Sequence, residues 1–193
     1  MKKKISLSLF SCLWLTVLVL LKVPYILSMI CAVALHESGH LLYARLRRIP
    51  ILSFELSMLG AQIKIDPSRL SYADELLLAA AGPLAGLLGS AVCLSLFRGA
   101  DLLPFSVISL CLSLFNLIPI ETLDGGRILK CAISVLFSPD TAYRVLRISS
   151  FITLFVLWLF SVYLMLRSID GVSVFAFSAI LFVKFFILEH KKL

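Results

Sequence analysis

Six long apolar runs dominate the chain: Ile5–Leu21, Pro24–Ala44, Leu76–Phe97, Leu102–Ile120, Ile148–Leu166 and Val172–Leu188. Crossing a bilayer as a helix takes about 20 residues, with a range of about 17–25, and every run falls within it. The pattern predicts six transmembrane helices. Lys2-Lys3-Lys4 ahead of the first run resemble the start of a secretory leader. The run is followed by Lys22-Val23-Pro24 rather than by a small-residue cleavage site, so it is read as a retained span. Between the second and third runs lies the stretch Arg45–Glu75. Within it, Ile49–Leu56 and Gly60–Ile65 alternate or run apolar around Ser57-Met58-Leu59-Gly60, which predicts a β-hairpin. The hairpin is apolar for a solvent loop and is expected to lie against the membrane face. A second polar stretch, Glu121–Arg147, opens with Leu123-Asp124-Gly125-Gly126 and continues into a helical pattern. The expected fold class is an all-α polytopic membrane protein with six transmembrane helices and a small membrane-associated β-hairpin after the second. The whole of 1–193 is expected to be one integral-membrane domain, with no room for an appended soluble one.

Composition points the same way. Hydrophobic residues make up 61% of the 193 and charged residues 15%, with a mean hydropathy of +1.05. Soluble globular chains are about half apolar and about a quarter charged, so a soluble enzyme, a disordered chain and a disulfide scaffold are all excluded. The net charge of +7 invites a nucleic-acid partner, but the Lys and Arg residues sit between apolar runs rather than along one exposed face. With the N-terminus inside, fourteen of the 18 Lys and Arg fall on the cytoplasmic side and three (Lys22, Arg98 and Arg167) outside, with Lys184 inside the sixth run. The positive-inside rule then places both termini in the cytoplasm of a cell-membrane protein. The five cysteines (Cys12, Cys31, Cys93, Cys111 and Cys131) lie in or beside apolar runs without CxxC spacing, and read as small buried hydrophobes.

The second run carries His36-Glu37-Ser38-Gly39-His40. HExxH on a helix puts both histidines on one face a turn apart, where they can share a metal ion, with Glu37 placed to act as general base. Three ionisable side chains inside an apolar span each cost about 2.5–3.5 kcal/mol at mid-bilayer on insertion scales, a cost that a bound metal would offset. Haem ligation would need histidines on different helices, and the one other histidine is His190. A catalytic zinc usually has three protein ligands and a water, so one ligand is missing. Asp124 stands out among acidic residues near a span, following Asn116-Leu117-Ile118-Pro119-Ile120-Glu121-Thr122-Leu123. Pro119 breaks the helix, and Gly125-Gly126 let backbone come close to a partner. Asp124 could equally cap the helix that follows, and Asn116 could be interhelical glue.

These motifs resemble the site-2 protease family of intramembrane zinc metalloproteases. The likeness rests on His36-Glu37-Ser38-Gly39-His40 in a span, on Asn116-x-x-Pro119-x-x-x-Leu123-Asp124-Gly125-Gly126, and on Ala81-Gly82-Pro83-Leu84-Ala85-Gly86 at the start of the third run. It extends from about Leu27 to Leu129. The resemblance implies that His36, His40 and Asp124 bind one zinc ion, that Glu37 is the catalytic base, and that Asn116 contacts substrate or the transition state. The layout is similar to the branch of stage IV sporulation protein FB, which activates a pro-sigma factor. Members of that branch usually carry a CBS domain and other branches carry PDZ domains, for which 193 residues leave no room. Leu117 and Thr122 stand where many members have proline.

The activity so implied is hydrolysis of a peptide bond in or near the membrane segment of a membrane protein or membrane-tethered pro-protein, in regulated intramembrane proteolysis. A regulatory membrane partner fits this reading and nucleic acid does not. Counting from Ala44 back to His36 at ~1.5 Å per residue puts the metal about 12 Å below the cytoplasmic surface, so cleavage is expected near that side. The edge of the hairpin is expected to add the substrate as a further strand, with a hairpin that merely seals the bundle as the alternative. Two rival readings remain: an inactive relative that binds membrane helices, which Glu37 argues against, and a metal transporter, which the scarcity of strongly polar groups elsewhere in the runs argues against.

Overall fold

The computed structural model describes residues 4–7, 24–57, 60–65, 70–96, 102–167 and 171–190. They form two compact units, Met1–Asn116 and Leu117–Leu193.

In the first unit, strands β1 (Lys4–Leu7), β2 (Ile51–Ser57) and β3 (Gly60–Ile65) make one sheet in the order β1-β2-β3. β2 and β3 are antiparallel, with Phe54 opposite Ile63 and Ser57 opposite Gly60. β1 runs parallel to β2, with Lys4 opposite Ser53 and Leu7 opposite Leu56. This corrects the start of the expected first span, because Ile5–Leu7 are strand rather than helix. A short apolar run does not by itself separate a buried strand from a helix. The rest of that span, 8–21, lies outside the described residues, as do Met58 and Leu59. β1 also changes the expected edge of the hairpin: β2 is the central strand, so of the hairpin's own two strands only β3 keeps an open edge among the described residues.

Helices α1 (Ile26–Leu46), α2 (Tyr72–Leu96) and α3 (Leu103–Asn116) pack mutually in the same unit. α1 ends in a Schellman motif. Arg48 takes a left-handed φ of 53°, Ile49 N–H donates to the Ala44 carbonyl at 2.8 Å and Arg48 N–H to that of Arg45 at 3.2 Å. Pro50 then prevents continuation. α2 starts at a cap that the sequence spells as Ser71-x-x-Asp74. Asp74 N–H donates to Ser71 Oγ, which donates to Asp74 Oδ2. The other oxygen of Asp74 accepts from Arg47 Nη2 at 2.9 Å and Tyr43 Oη at 3.2 Å, tying the end of α1 to the start of α2.

Deeper in this unit, serines take the place of large side chains. Ser90 Oγ donates to the Ser106 carbonyl and Ser109 Oγ to the Gly86 carbonyl, joining α2 to α3. Small residues let helix backbones approach, and each buried hydroxyl avoids a cost of about 1–3 kcal/mol by finding a carbonyl. The fourth apolar run ends as helix at Asn116 rather than Ile120. The residue before a proline is steered away from helical φ/ψ, and Pro119 closes the run early.

The second unit holds α4 (Asp124–Leu136), α5 (Pro139–Arg167) and α6 (Gly171–His190), with α5 packed on both others. α5 begins nine residues before the apolar run within it, at Ser138-Pro139. Ser138 Oγ accepts from Thr141 N–H, and proline suits the first helical position. The 117–123 loop is anchored to α5: Glu121 N–H donates to Ser150 Oγ at 2.9 Å, and Ser149 Oγ donates to the Pro119 carbonyl at 3.2 Å. Farther along, Ser161 and Ser178 pair between α5 and α6 at 2.8 Å, and Phe151 packs on Phe155 and, across to α6, on Phe182.

Three helices, α1, α2 and α5, are long and apolar enough to cross a membrane. Two shorter apolar stretches, Leu103–Asn116 and Val174–Val183, stand beside them among the described residues.

Candidate metal centre

His36 and His40 lie on one buried face of α1, a turn apart, with ring centroids 5.0 Å apart and planes at 80°. Their Nε2 atoms face each other at 3.3 Å. His40 Nδ1 meets the Leu78 carbonyl of α2 at 2.7 Å. A carbonyl only accepts, so Nδ1 carries the proton and the neutral ring presents a lone pair at Nε2. This is the usual support of a metal-bound histidine, whose second nitrogen donates to a carbonyl or carboxylate.

The spacing also fits. Zinc at ~2.0–2.1 Å from each of two nitrogens in tetrahedral geometry holds those nitrogens about 3.3–3.4 Å apart. Among the described residues, His36 and His40 could hold a metal ion together, and Asp124, the third ligand that the sequence resemblance implies, belongs to the second unit. Two imidazoles and a carboxylate are a donor set that zinc takes readily. Glu37, half-buried, follows the first histidine in α1.

α1 reaches this arrangement through small residues. A Cβ on Gly39 would overlap the Ala81 carbonyl oxygen and come within 2.7 Å of Ala85 Cβ, so no larger residue than glycine fits between α1 and α2 there. In the second unit, Asp124 is the first residue of α4, and the cap position is Leu123, with extended backbone and no side-chain cap bond. The capping role considered for Asp124 is therefore not taken. As first residue, its charge is favoured by the helix dipole. Gly125 and Gly126 give the preceding loop its path. A Cβ on Gly125 would overlap the Leu117 carbonyl, and one on Gly126 the Ile120 carbonyl oxygen. Asn116 closes α3, its Nδ2 donating to the Leu112 carbonyl at 2.9 Å. That bond is local to its own helix.

Two features escaped the sequence. The Leu78 carbonyl is a backbone atom with no signature of its own, 38 residues from its partner. Ser71-x-x-Asp74, by contrast, carried a readable capping signal.

Helices long and apolar enough to cross a membrane, one of them carrying a buried histidine pair, limit the class of protein that this chain can resemble. Comparison with known proteins narrows it. Residues 100–160 match the model of Peptidase family M50. The chain is 32% identical over 121 residues to a protein of Synechocystis sp. named as a candidate zinc metalloprotease, sll0528, an alignment covering 55% of this chain and 32% of that protein. It thus spans about a third of that relative's length. The fold is similar to that of a site-2 protease from Methanocaldococcus jannaschii, with a TM-score of 0.70 and 24% identity, covering 93% of this chain and 87% of that one. Part of the chain thus resembles peptidase family M50, and its fold is similar to that of a site-2 protease.

Proposed function

We propose that the protein is an intramembrane zinc metalloendopeptidase that hydrolyses a peptide bond in or near the membrane segment of a membrane-associated substrate. The observation that carries this reading is the buried pair His36 and His40, Nε2 facing Nε2, on a helix that also carries Glu37. In this reading His36, His40 and Asp124 hold the zinc. When bound, zinc lowers the pKa of a water to about 7 and polarises a carbonyl. Glu37 removes the proton of the attacking water and returns it to the leaving amine. The Leu78 carbonyl keeps His40 in the tautomer that presents Nε2. Asn116, at the end of α3, contacts the substrate or the transition state through its amide.

α1 continues ten residues past His36 to Leu46, about 15 Å at ~1.5 Å per residue. With both termini in the cytoplasm, the zinc lies about that far inside the membrane from the cytoplasmic face, and cleavage falls near that side. Unwinding a substrate helix in lipid would leave several amides unpaired at several kcal/mol each. The β3 edge is the element suited to take them up by strand addition. The substrate is then a membrane protein or a membrane-tethered pro-protein, such as a transcription or sigma factor precursor, and a regulatory membrane partner would control access.

Quantitative proteomics of membrane and released fractions, comparing the wild type with Glu37→Gln in the native host, tests the proposal. A fragment released only by the wild type, cut near the cytoplasmic end of a membrane segment, is the expected result. Identical fractions in the two strains would contradict it.

A further inference from the structure

The Ala81–Gly86 turn of α2 does more than let α1 approach. A Cβ built on Gly82 would overlap His40 Nε2 and come within 2.5 Å of Cε1 and 2.8 Å of Cδ2. One helical turn earlier on α2, the Leu78 carbonyl holds the other nitrogen of the same ring at 2.7 Å. Gly82 and His40 are both buried. The imidazole is thus gripped at Nδ1 and cleared at Nε2 by positions 78 and 82, which share one face of α2.

We infer that Gly82 is a positioning residue for the metal site, its missing side chain forming, with the Leu78 carbonyl, a socket on α2 that aims His40 Nε2 at the zinc. A methyl group at 82 forces the ring to move. The ring cannot move without lengthening its bond to Leu78 or turning Nε2 away from His36, whose own Nε2 lies 3.3 Å off. Loss of such a support typically weakens metal binding 10–100-fold. Gly86 supplies the control. A Cβ there is crowded just as severely, by Ser113 Oγ on α3, but His40 is not among its nearest neighbours.

The inference rests on the zinc reading for its function, and two measurements separate the two. The first needs no metal: thermal melting of the metal-stripped full chain as a double-mutant cycle of Gly82→Ala and His40→Ala. Gly82→Ala should lower the melting temperature when His40 is present and should not lower it in the His40→Ala background, where the obstructing ring is gone. If Gly82→Ala alone does not fold, the double variant should. A double variant that melts as low as Gly82→Ala, or fails to fold, overturns the socket. The second is zinc affinity by chelator competition, with the visible spectrum of the cobalt-substituted protein as a probe of coordination. Gly82→Ala should bind zinc 10–100-fold more weakly than the wild type and show altered cobalt bands, whereas folded Gly86→Ala keeps both. Equal zinc affinity and cobalt spectra in Gly82→Ala and the wild type overturn the inference. A wild-type chain that takes up neither metal contradicts the zinc reading, and the melting cycle still decides whether Gly82 positions the ring.

Discussion

Replacing Gly125 by alanine puts a carbon atom into the path of the loop that leads to Asp124. That Cβ would overlap the Leu117 carbonyl and lie 2.5 Å from the Ile118 oxygen, where ordinary contact begins at about 3.4 Å. The obstructing atoms are backbone and have no rotamer to retreat into. The loop must shift by roughly 1 Å, while its far side is held by Glu121 N–H on Ser150 and by Ser149 on the Pro119 carbonyl. Alanine in place of glycine in a helix gains about 1 kcal/mol, and overpacking costs about 1–3 kcal/mol, so overpacking wins and the variant is less stable by up to about 2 kcal/mol. Function should suffer more than stability. A misplacement of 1 Å at a catalytic constellation can cost about 100-fold in rate, and Asp124 immediately precedes Gly125 in the chain. The assay is cleavage of a substrate identified by the proteomic comparison, followed in detergent or liposomes, with zinc content and thermal melting measured on the same preparation. A rate about 100-fold lower in a folded variant with reduced zinc is expected. Wild-type rate and zinc content in Gly125→Ala would show that the loop geometry does not set the ligand.

The remaining predictions concern the base, the topology and the sheet edge. Glu37→Gln should lower peptide hydrolysis by about 100–10,000-fold while zinc stays bound, and turnover at the wild-type rate would assign the base elsewhere. Reporter fusions after Arg48, Lys130 and Leu193 should read as cytoplasmic and fusions at Gly99 and Asp170 as external; an external signal at Leu193 would reverse the orientation and the side of cleavage. Proline placed singly at Gln62, Ile63 and Lys64 of β3 must at some position remove an outward-facing N–H. One of these variants should lose cleavage with zinc retained, and wild-type cleavage by all three when folded and zinc-loaded would end the strand-addition idea.

The His36-Glu37-Ser38-Gly39-His40 motif on α1 was legible because its chemistry is local. His36, Glu37 and His40 occupy one turn or so of α1, and their cost in an apolar run made a chance match hard to sustain. Asp124 was harder to place, since a carboxylate ahead of a helix serves equally well as a cap. The backbone at Leu123 decided against the cap, and no sequence signal distinguishes the two. The apolar runs alone did not set helix ends: the start of α5 lies at Ser138-Pro139, nine residues before its run, and Pro119 ended α3 at Asn116 from a distance. The first apolar run failed at its start because its pairing partner, β2, lies more than 40 residues on, and parallel pairing has no local period to betray it. Gly82 was visible within a glycine-proline pattern, but its neighbour across the helix contact was not.

The central claim is that His36, His40 and Asp124 hold one zinc ion, and elemental analysis of the purified full-length chain tests it most directly. The account predicts one zinc per wild-type chain, and a strong loss in folded His36→Ala, His40→Ala and Asp124→Ala. A wild-type chain without zinc would contradict the claim outright. Full zinc content and activity in Asp124→Ala would contradict the assignment of the third ligand and turn attention to Glu121.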